Sequence, residues 1–382
     1  MIDSLRQRLT PRVTVALGLL GLLWASTAWV VLRRFLEGLG SVTALSDTSP
    51  WGLWISFDVV CGVALAAGGF TMAAAVYVFK LEHYRPVLRP AVLTAFLGYI
   101  LVVMGLMMDL GRPWDIWHPI VMWQPHSVMF EVAWCVMLYT TVLALEFSPV
   151  VFEKFHLERP LRLIHAITIP LVILGVILST LHQSSLGSLF LLVPSKLSQL
   201  WYTPLLPVLF FLSAVAVGPA MVIVESNLSS RAFGRGLEND LLAGLGKATS
   251  ITLFIYLAVK IADLLVRGAW TRLLMPTLTS GFFWAEIVIG VLLPAVLLAQ
   301  RSVREDPKAL FRAALLVVGG VVLNRFNVSM IGLWAYTGPT YIPTIAEIMV
   351  SLSLVLGGVV AFGVIAKFFP VFSEEGQEAS QP

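Results

Sequence analysis

Charge is what this chain has least of. Asp, Glu, Lys and Arg together make up 12% of its 382 residues, about half the share of an ordinary soluble domain. Cysteine is nearly absent as well. Cys61 and Cys135 are the whole supply, both inside apolar runs, which excludes a disulfide framework and a cysteine-based metal motif. The chain has no CxxC, no dinucleotide-binding glycine pattern and no iron–sulfur motif. A formal net charge of +3, gathered in a few short segments, gives no ground for a nucleic-acid partner.

What is present instead is apolar sequence. Hydrophobic residues reach 58% and the mean hydropathy is +0.89. Runs long enough to cross a hydrocarbon core of about 30 Å fall at 13–32, 54–79, 91–110, 126–149, 163–182, 203–226, 246–266, 281–300, 309–326 and 346–369. The pattern predicts an all-α polytopic membrane protein with about ten transmembrane helices. Arg6, Arg8 and Arg12 before the first run resemble a signal peptide. That run is long, contains Trp24 and Trp29, and ends at Arg33-Arg34 without a cleavage site, so it reads as a retained first helix.

Orientation follows from Lys and Arg in alternate connections. The N-terminus, the 80–90, 150–162, 227–247 and 301–312 segments and Lys367 hold most of the 25 such residues. The opposite side holds Arg33, Arg34, Arg112, Lys196, Arg267, Arg272 and Arg325. The bias places both termini in the cytoplasm.

The two halves are weakly similar to one another. "LGVILSTLHQSSLGSL" from Leu174 aligns with "GGVVLNRFNVSMIGLW" from Gly319, pairing Gly175 with Gly320, Gly187 with Gly332 and His182 with Asn327. "FEVAWCVMLYTTVLALE" aligns with "AEIVIGVLLPAVLLAQ", pairing Glu131 with Glu286. "MMDLGRPWDIW" aligns with "IADLLVRGAW", pairing Asp109 with Asp263. The order predicts two parallel-repeat four-helix bundles, helices 2–5 and 6–9, plus two extra helices. The corresponding division is 1–49, a first helix and outer loop; 50–200, the first bundle; 201–334, the second; and 335–382, a last helix and cytoplasmic tail.

Ionisable groups within spans are rare and usually face a bundle interior or a water-filled cavity. Asp58 stands above Gly62, Ala66 and Gly69 at helical spacing, a small-residue stripe where backbones approach closely; it is either a structural hydrogen-bonding group or part of a site. Asp109 closes the third span and either pairs with Arg112 at the rim or faces inward. Glu131 starts the fourth span, His126 sits at its mouth and His182 at the outer end of the fifth. All five fall near the outer third of the first bundle. Glu225 and Glu146 lie at inner helix ends. Lys260 and Asp263 are spaced as a self-neutralising pair, while Glu286 and Glu347 begin helices where acids suit the helix dipole.

Carboxylates and imidazoles in one outer pocket suit proton exchange with a lipid-soluble redox carrier. A quinone needs hydrogen-bond donors at two carbonyl oxygens and takes two protons with two electrons. No electron carrier is encoded here, so electrons come from a partner or from haem. A haem with two axial histidines has only His126 and His182 as an outer-side pair.

"SPWGLWISFDVVCGVALAAGG", "MGLMMDLGRPWDIW", "HSVMFEVAWCVMLYTTVLALEFSP" and "HQSSLGSLF" resemble signatures of the NrfD/polysulfide-reductase membrane-subunit family. The nearest branch is the HybB-like one, the membrane subunit of hydrogenase-2-type nickel–iron hydrogenase. The resemblance spans nearly the whole chain and is strongest from Pro50 to Phe190. It implies paired four-helix bundles in the bacterial inner membrane and a quinone site, for menaquinone or ubiquinone, near the outer face. It also implies no haem or iron–sulfur cluster in this chain. Implied partners are a periplasmic ferredoxin-like iron–sulfur subunit, the hydrogenase large and small subunits, and membrane lipid. By motif position, Glu131, Asp109 and Asp58 would exchange protons, His126 and His182 would bind quinone, and Glu225 is a candidate for a proton path toward the cytoplasm; if protons enter through Glu225 and Glu146, turnover would be electrogenic. Two rival readings stay open: the same module serving a sulfur-compound or multihaem-cytochrome complex, and a secondary transporter, where parallel repeats with intramembrane acids also occur.

Overall fold

The computed structural model describes residues 11–338 and 341–372; Arg6, Arg8 and the tail beyond Phe372 lie outside the described residues, as does the side chain of Arg12. No β-strand occurs among the described residues, and ten helices are long and apolar enough to cross a membrane. They are α1 (Pro11–Glu37), α2 (Trp54–Val78), α3 (Arg85–Asp109), α4 (Val128–Lys154), α5 (Glu158–Leu189), α6 (Leu206–Phe233), α7 (Asn239–Val266), α8 (Leu278–Ala299), α9 (Pro307–Ser329) and α10 (Ile345–Phe368). The chain is an all-α, multi-pass integral membrane protein.

Local chemistry sets the helix ends. Ser127 caps α4 by accepting from the Phe130 amide at 3.4 Å, and Thr277 caps α8 by accepting from the Ser280 amide at 3.2 Å. Asp306 does the same for α9 through the Lys308 amide at 3.0 Å. Thr344 and Glu347 form a reciprocal capping box on α10, relieving amides that no residue inside the helix can serve. Gly234 ends α6 at φ +67, a left-handed turn that side chains resist. The fifth helix departs from expectation. The apolar run stops at His182, yet α5 continues to Leu189, because Gln183 and Ser185 find hydrogen-bond acceptors inside the fold.

The helices pack as two rings. In the first, α2 touches α3, α3 touches α4, α4 touches α5 and α5 returns to α2. In the second, α6, α7, α8 and α9 close in the same order. The rings join along α2 against α6 and α9, and along α5 against α6. Helix α10 lies on α3, α1 and α2, with α1 outermost. Lipid tails are as apolar as these side chains, so association rests on close packing and internal hydrogen bonds. Small residues make that possible. A Cβ on Gly69 of α2 would stand 2.5 Å from the Ala95 Cβ of α3, and one on Gly290 of α8 would stand 2.7 Å from the Gly320 Cα of α9.

Connections 38–53, 110–127, 190–205, 267–277 and 330–344 lie at one end of the rings, and the brief turns 79–84, 155–157, 234–238 and 300–306 at the other. These are the long-loop and short-loop faces. Two spans carry wide π-helical turns: Trp54–Cys61 and Ala74–Val78 in α2, and Glu286–Leu292 in α8. The first and the last hold an acid, Asp58 and Glu286. Such turns often accompany functional positions.

Candidate functional site

Helix α4 presents Glu131, Cys135, Tyr139, Val142 and Glu146 at spacings of three and four, which places them on one face. Helix α5 runs the opposite way and presents Ser185, His182, Ser179 and Gly175 to it. Near the long-loop face, the Ser185 hydroxyl donates to Glu131 Oε1 at 2.6 Å. Ser185 is buried and Glu131 exposed. Inward of this pair, His182 is fully buried, with its Nδ1 2.8 Å from the Tyr99 hydroxyl of α3. The rings of Tyr99 and Tyr139 meet edge to face at 4.7 Å. Gln183 donates to the Val63 carbonyl of α2 at 2.9 Å, which fixes α5 against α2.

The His182 Nε2, the Ser179 hydroxyl and the Tyr139 hydroxyl are buried without a hydrogen-bond partner. Buried polar atoms are nearly always paired, and each unpaired one costs about 1–3 kcal/mol. Three in one interior leave it with unfilled hydrogen-bonding capacity. In the tautomer where Tyr99 donates to Nδ1, Nε2 carries the imidazole hydrogen and is a donor; in the other tautomer Nε2 is an acceptor.

A second group of acids lies between α1, α2, α3 and α10. Ser351 of α10 donates to Asp58 Oδ2 at 2.6 Å. Gly105 of α3 makes the room, since a Cβ there would stand 2.6 Å from the Asp58 Cβ. Asp109 lies within electrostatic reach of Asp58, Arg34 and Glu347. The expected rim pair with Arg112 does not form. Instead Arg34, buried at the end of α1, donates to the Met108 carbonyl at 2.6 Å and to that of Leu110, closing α3 beside Asp109. Glu347 accepts from the Ala44 amide at 3.1 Å and the Thr344 amide at 2.8 Å, and from the Tyr341 hydroxyl. Burial and the Glu347 contact push the Tyr341 phenol up, so it keeps its proton.

The five residues that sequence position groups together are therefore divided. Glu131 and His182 belong to the α4–α5 face, and Asp58 and Asp109 to the α1–α10 side. His126 is exposed in the loop before the Ser127 cap, and among the described residues it makes no contact with His182. Glu146 lines a crevice of about 1310 Å³ that opens at the short-loop face. Glu225 accepts from the Thr94 hydroxyl at 2.6 Å. It lines, with Asp58, an apolar groove of about 440 Å³ between α2, α3, α6 and α10.

The second ring contains a filled version of the first. Glu286, well inside α8 and fully buried, pairs with Lys260. It also accepts from Trp201 at 2.9 Å, Asn324 at 2.9 Å and Asn327 at 2.7 Å. Two expectations are corrected here. Lys260 is neutralised by Glu286 and not by Asp263, because Asp263 is held by Arg267 at 2.7 Å and by Thr203 at 2.6 Å. Glu286 answers a buried cation and not a helix N-terminus.

Tyr99, Tyr139, Ser179, Ser185, Arg34 and Ser351 escape a search for ionisable groups in apolar runs. The three-and-four spacing of polar residues along α4 and α5 is the signal that reaches Tyr139, Ser179 and Ser185; Tyr99, on α3, lies outside it. Nothing in sequence brings Arg34 or Ser351 to helices so distant in the chain.

Residues 41–337 match the family described as polysulphide reductase, NrfD. The chain belongs to the NrfD family. Among its relatives is a protein of Nitratidesulfovibrio vulgaris, 40% identical over 90% of this chain and 91% of that one. The probable Ni/Fe-hydrogenase 2 b-type cytochrome subunit of Escherichia coli is 33% identical over 90% of this chain and 88% of its own length. The integral membrane subunit of menaquinone reductase from N. vulgaris is 29% identical over 91% and 89%. This NrfD-family chain is thus homologous to membrane subunits of hydrogenase and menaquinone reductase complexes. Among the described residues His182 alone is a buried histidine, and its Nδ1 is held by Tyr99.

Proposed function

We propose that this chain is the quinone-reactive membrane subunit of a multi-subunit oxidoreductase in the bacterial inner membrane. Its long-loop face is periplasmic and both termini are cytoplasmic. A ferredoxin-like iron–sulfur subunit docks on the long-loop face and delivers electrons from the large and small subunits of a nickel–iron hydrogenase. The relatives named for hydrogenase 2 and for menaquinone reductase support this choice. The two rings correspond to units 50–200 and 201–334, and the chemistry belongs to the first.

The observation that carries the reading is the buried His182 ring, anchored at Nδ1 by Tyr99 and unpartnered at Nε2, beside the Ser185–Glu131 pair. A quinone, menaquinone or ubiquinone, brings two carbonyl oxygens and a two-electron, two-proton capacity. His182 Nε2 donates a hydrogen bond to a carbonyl oxygen, and His126 lies at the mouth of the same helix. Glu131, held by the Ser185 hydroxyl and open to solvent, takes a proton at Oε1 or Oε2 and delivers it. Asp58 and Asp109 form a neighbouring proton-exchanging group. Glu225 and Glu146, at the opposite ends of their helices, form a route toward the cytoplasm, which makes turnover electrogenic. A second reading keeps the module and changes the donor to a sulfur-compound complex. The family's own description as polysulphide reductase favours it.

Hydrogen-dependent menaquinone reduction by the purified complex is the test. Glu131→Gln should lower it by about a hundredfold, within the range for loss of a positioned acid–base group, while dye reduction by the partner enzyme is unchanged. Unaltered menaquinone reduction removes Glu131 from the mechanism. Gentle purification of the tagged chain decides the partner: hydrogenase subunits support the first reading, and a sulfur-compound reductase supports the second.

A further inference from the structure

Helix α2 gives way to Lys80, whose φ is +56. The Phe79 amide returns to the Ala74 carbonyl at 2.9 Å and the Leu81 amide to that of Ala75 at 2.9 Å, with the left-handed residue between them. Glycine suits such a helix end best, and a residue with a side chain is uncommon there. In the second ring, α6 makes the same left-handed stop with Gly234 at φ +67. The turn itself therefore needs no lysine. Lys80 lines the crevice of about 1310 Å³ between the short-loop ends of α2, α3, α4 and α5, and so do His83 and His165. Among the described residues, Lys80 and His165 make no hydrogen bond or ion pair. His83 only packs its ring on Tyr84, with centres 3.8 Å apart.

The two arginines of the crevice are already matched. Arg85 holds Glu82 at 2.7 Å, and Arg89 holds Glu153 at 2.7 Å. Glu146 has no such partner, but it meets α5 at Gly175, roughly 15 Å along the helix from His165. That is farther than a Debye length of about 8 Å. Lys80 thus leaves an uncompensated positive charge at the mouth, flanked by two imidazoles that can donate. Beside the mouth, α5 turns hydrocarbon outward. Ile169, on the crevice wall, is exposed, and Ile173 and Ile177 follow it on the same face, also exposed. A cation at the rim of an apolar stripe matches a phosphate head carried on an acyl chain, and basic pockets between spans take such heads.

We propose that this crevice binds an anionic phospholipid, with its phosphate against Lys80, His83 and His165 and an acyl chain along Ile169, Ile173 and Ile177. The phosphate supplies the negative charge that the mouth lacks. The lysine ammonium and the imidazole N–H groups donate to its oxygens. The acyl chain covers an isoleucine stripe that the described helices leave exposed. Glu146 stays below the head group, inside the ring.

The test is native mass spectrometry of the full-length chain in neutral detergent, titrated with palmitoyl-oleoyl phosphatidylglycerol or with the phosphatidylcholine of the same chains. Phosphatidylglycerol should be retained at one per chain, and about tenfold more tightly than phosphatidylcholine. Lys80→Asn removes the charge with a residue that tolerates positive φ. It should weaken phosphatidylglycerol about fivefold, the worth of one basic residue near an anionic surface, and Lys80→Arg should keep wild-type affinity. His165→Phe keeps a ring without donors and should also weaken binding about fivefold. Arg159→Gln, exposed on α5 outside the crevice, should change affinity less than about twofold. Equal affinity for the two lipids overturns the site, and so does a loss in Arg159→Gln as large as that in Lys80→Asn. Displacement of the lipid by inorganic phosphate assigns the mouth to a small anion and overturns the lipid. Should Lys80→Asn fail to fold, His165→Phe decides, and unchanged affinity in that variant overturns the site.

Discussion

Lys260→Met removes the cation from the centre of the second ring while keeping a side chain of similar length. The stem retains its place near Phe283, whose ring centre lies 4.9 Å from the ammonium nitrogen in the native chain. Glu286 keeps three neutral donors, Trp201, Asn324 and Asn327, and the buried Arg325 stays within electrostatic reach. Breaking a buried pair by removing one partner costs about 3–5 kcal/mol. The remaining donors and Arg325 argue for the low end, about 3 kcal/mol, or roughly a hundredfold in the folded-to-unfolded ratio. Adding Glu286→Gln removes the stranded charge, so the double variant should lose less than Lys260→Met alone. Reversible unfolding in mixed micelles, followed by tryptophan fluorescence, gives all corners of the double-mutant cycle. A single-variant loss under about 1 kcal/mol, or a double-variant loss equal to the sum of both singles, refutes the assignment of Glu286 to a structural ion pair. Menaquinone reduction per folded complex should be unchanged in Lys260→Met, since nothing in that cluster faces the His182 site.

Adjacent glycines in α9 should respond in opposite directions. A Cβ at Gly320 would overlap the Gly290 carbonyl, whereas one at Gly319 meets nothing within 4 Å. Gly320→Ala should therefore cost about 1–3 kcal/mol, and Gly319→Ala should gain up to about 1 kcal/mol from helix propensity. Equal shifts in thermal midpoint would contradict the α8–α9 contact. Thr344→Ala removes both the cap on the Glu347 amide, at 3.1 Å, and a 2.6 Å bond to the Val42 carbonyl. A loss of about 0.5–2 kcal/mol is expected, and hydrogen exchange confined to the first turn of α10 should rise. Unchanged exchange there would show that the cap is dispensable.

The membrane-spanning class and the helix count were legible because both depend on composition summed over windows of about twenty residues. Pairings between ions were not. Spacing made Lys260 and Asp263 look like partners, but Lys260 reaches Glu286 on α8 and Asp263 reaches Arg267. Asp109 looked like a rim partner for Arg112, while the cation that comes to it is Arg34 from α1. The end of α5 was misjudged because Gln183 and Ser185 read as polar, when each has an acceptor inside the fold. In apolar surroundings a buried polar group takes whichever partner packing brings within about 3 Å, and sequence distance has no bearing on that.

By itself, then, the sequence determined a multi-pass helical membrane protein with a fourfold helix unit repeated in order, since hydropathy and internal similarity are properties of the linear chain. It also determined that His182 of the first half stands opposite Asn327 of the second. Tertiary structure decided what those residues do together. It divided Asp58 and Asp109 from Glu131 and His182, left His126 in an exposed loop, and locked Glu286 to Lys260. It set Tyr99 against His182 across helices 83 residues apart. The difference is physical: crossing a bilayer is enforced segment by segment, whereas the side chains that share one buried space are fixed only when the helices close around it.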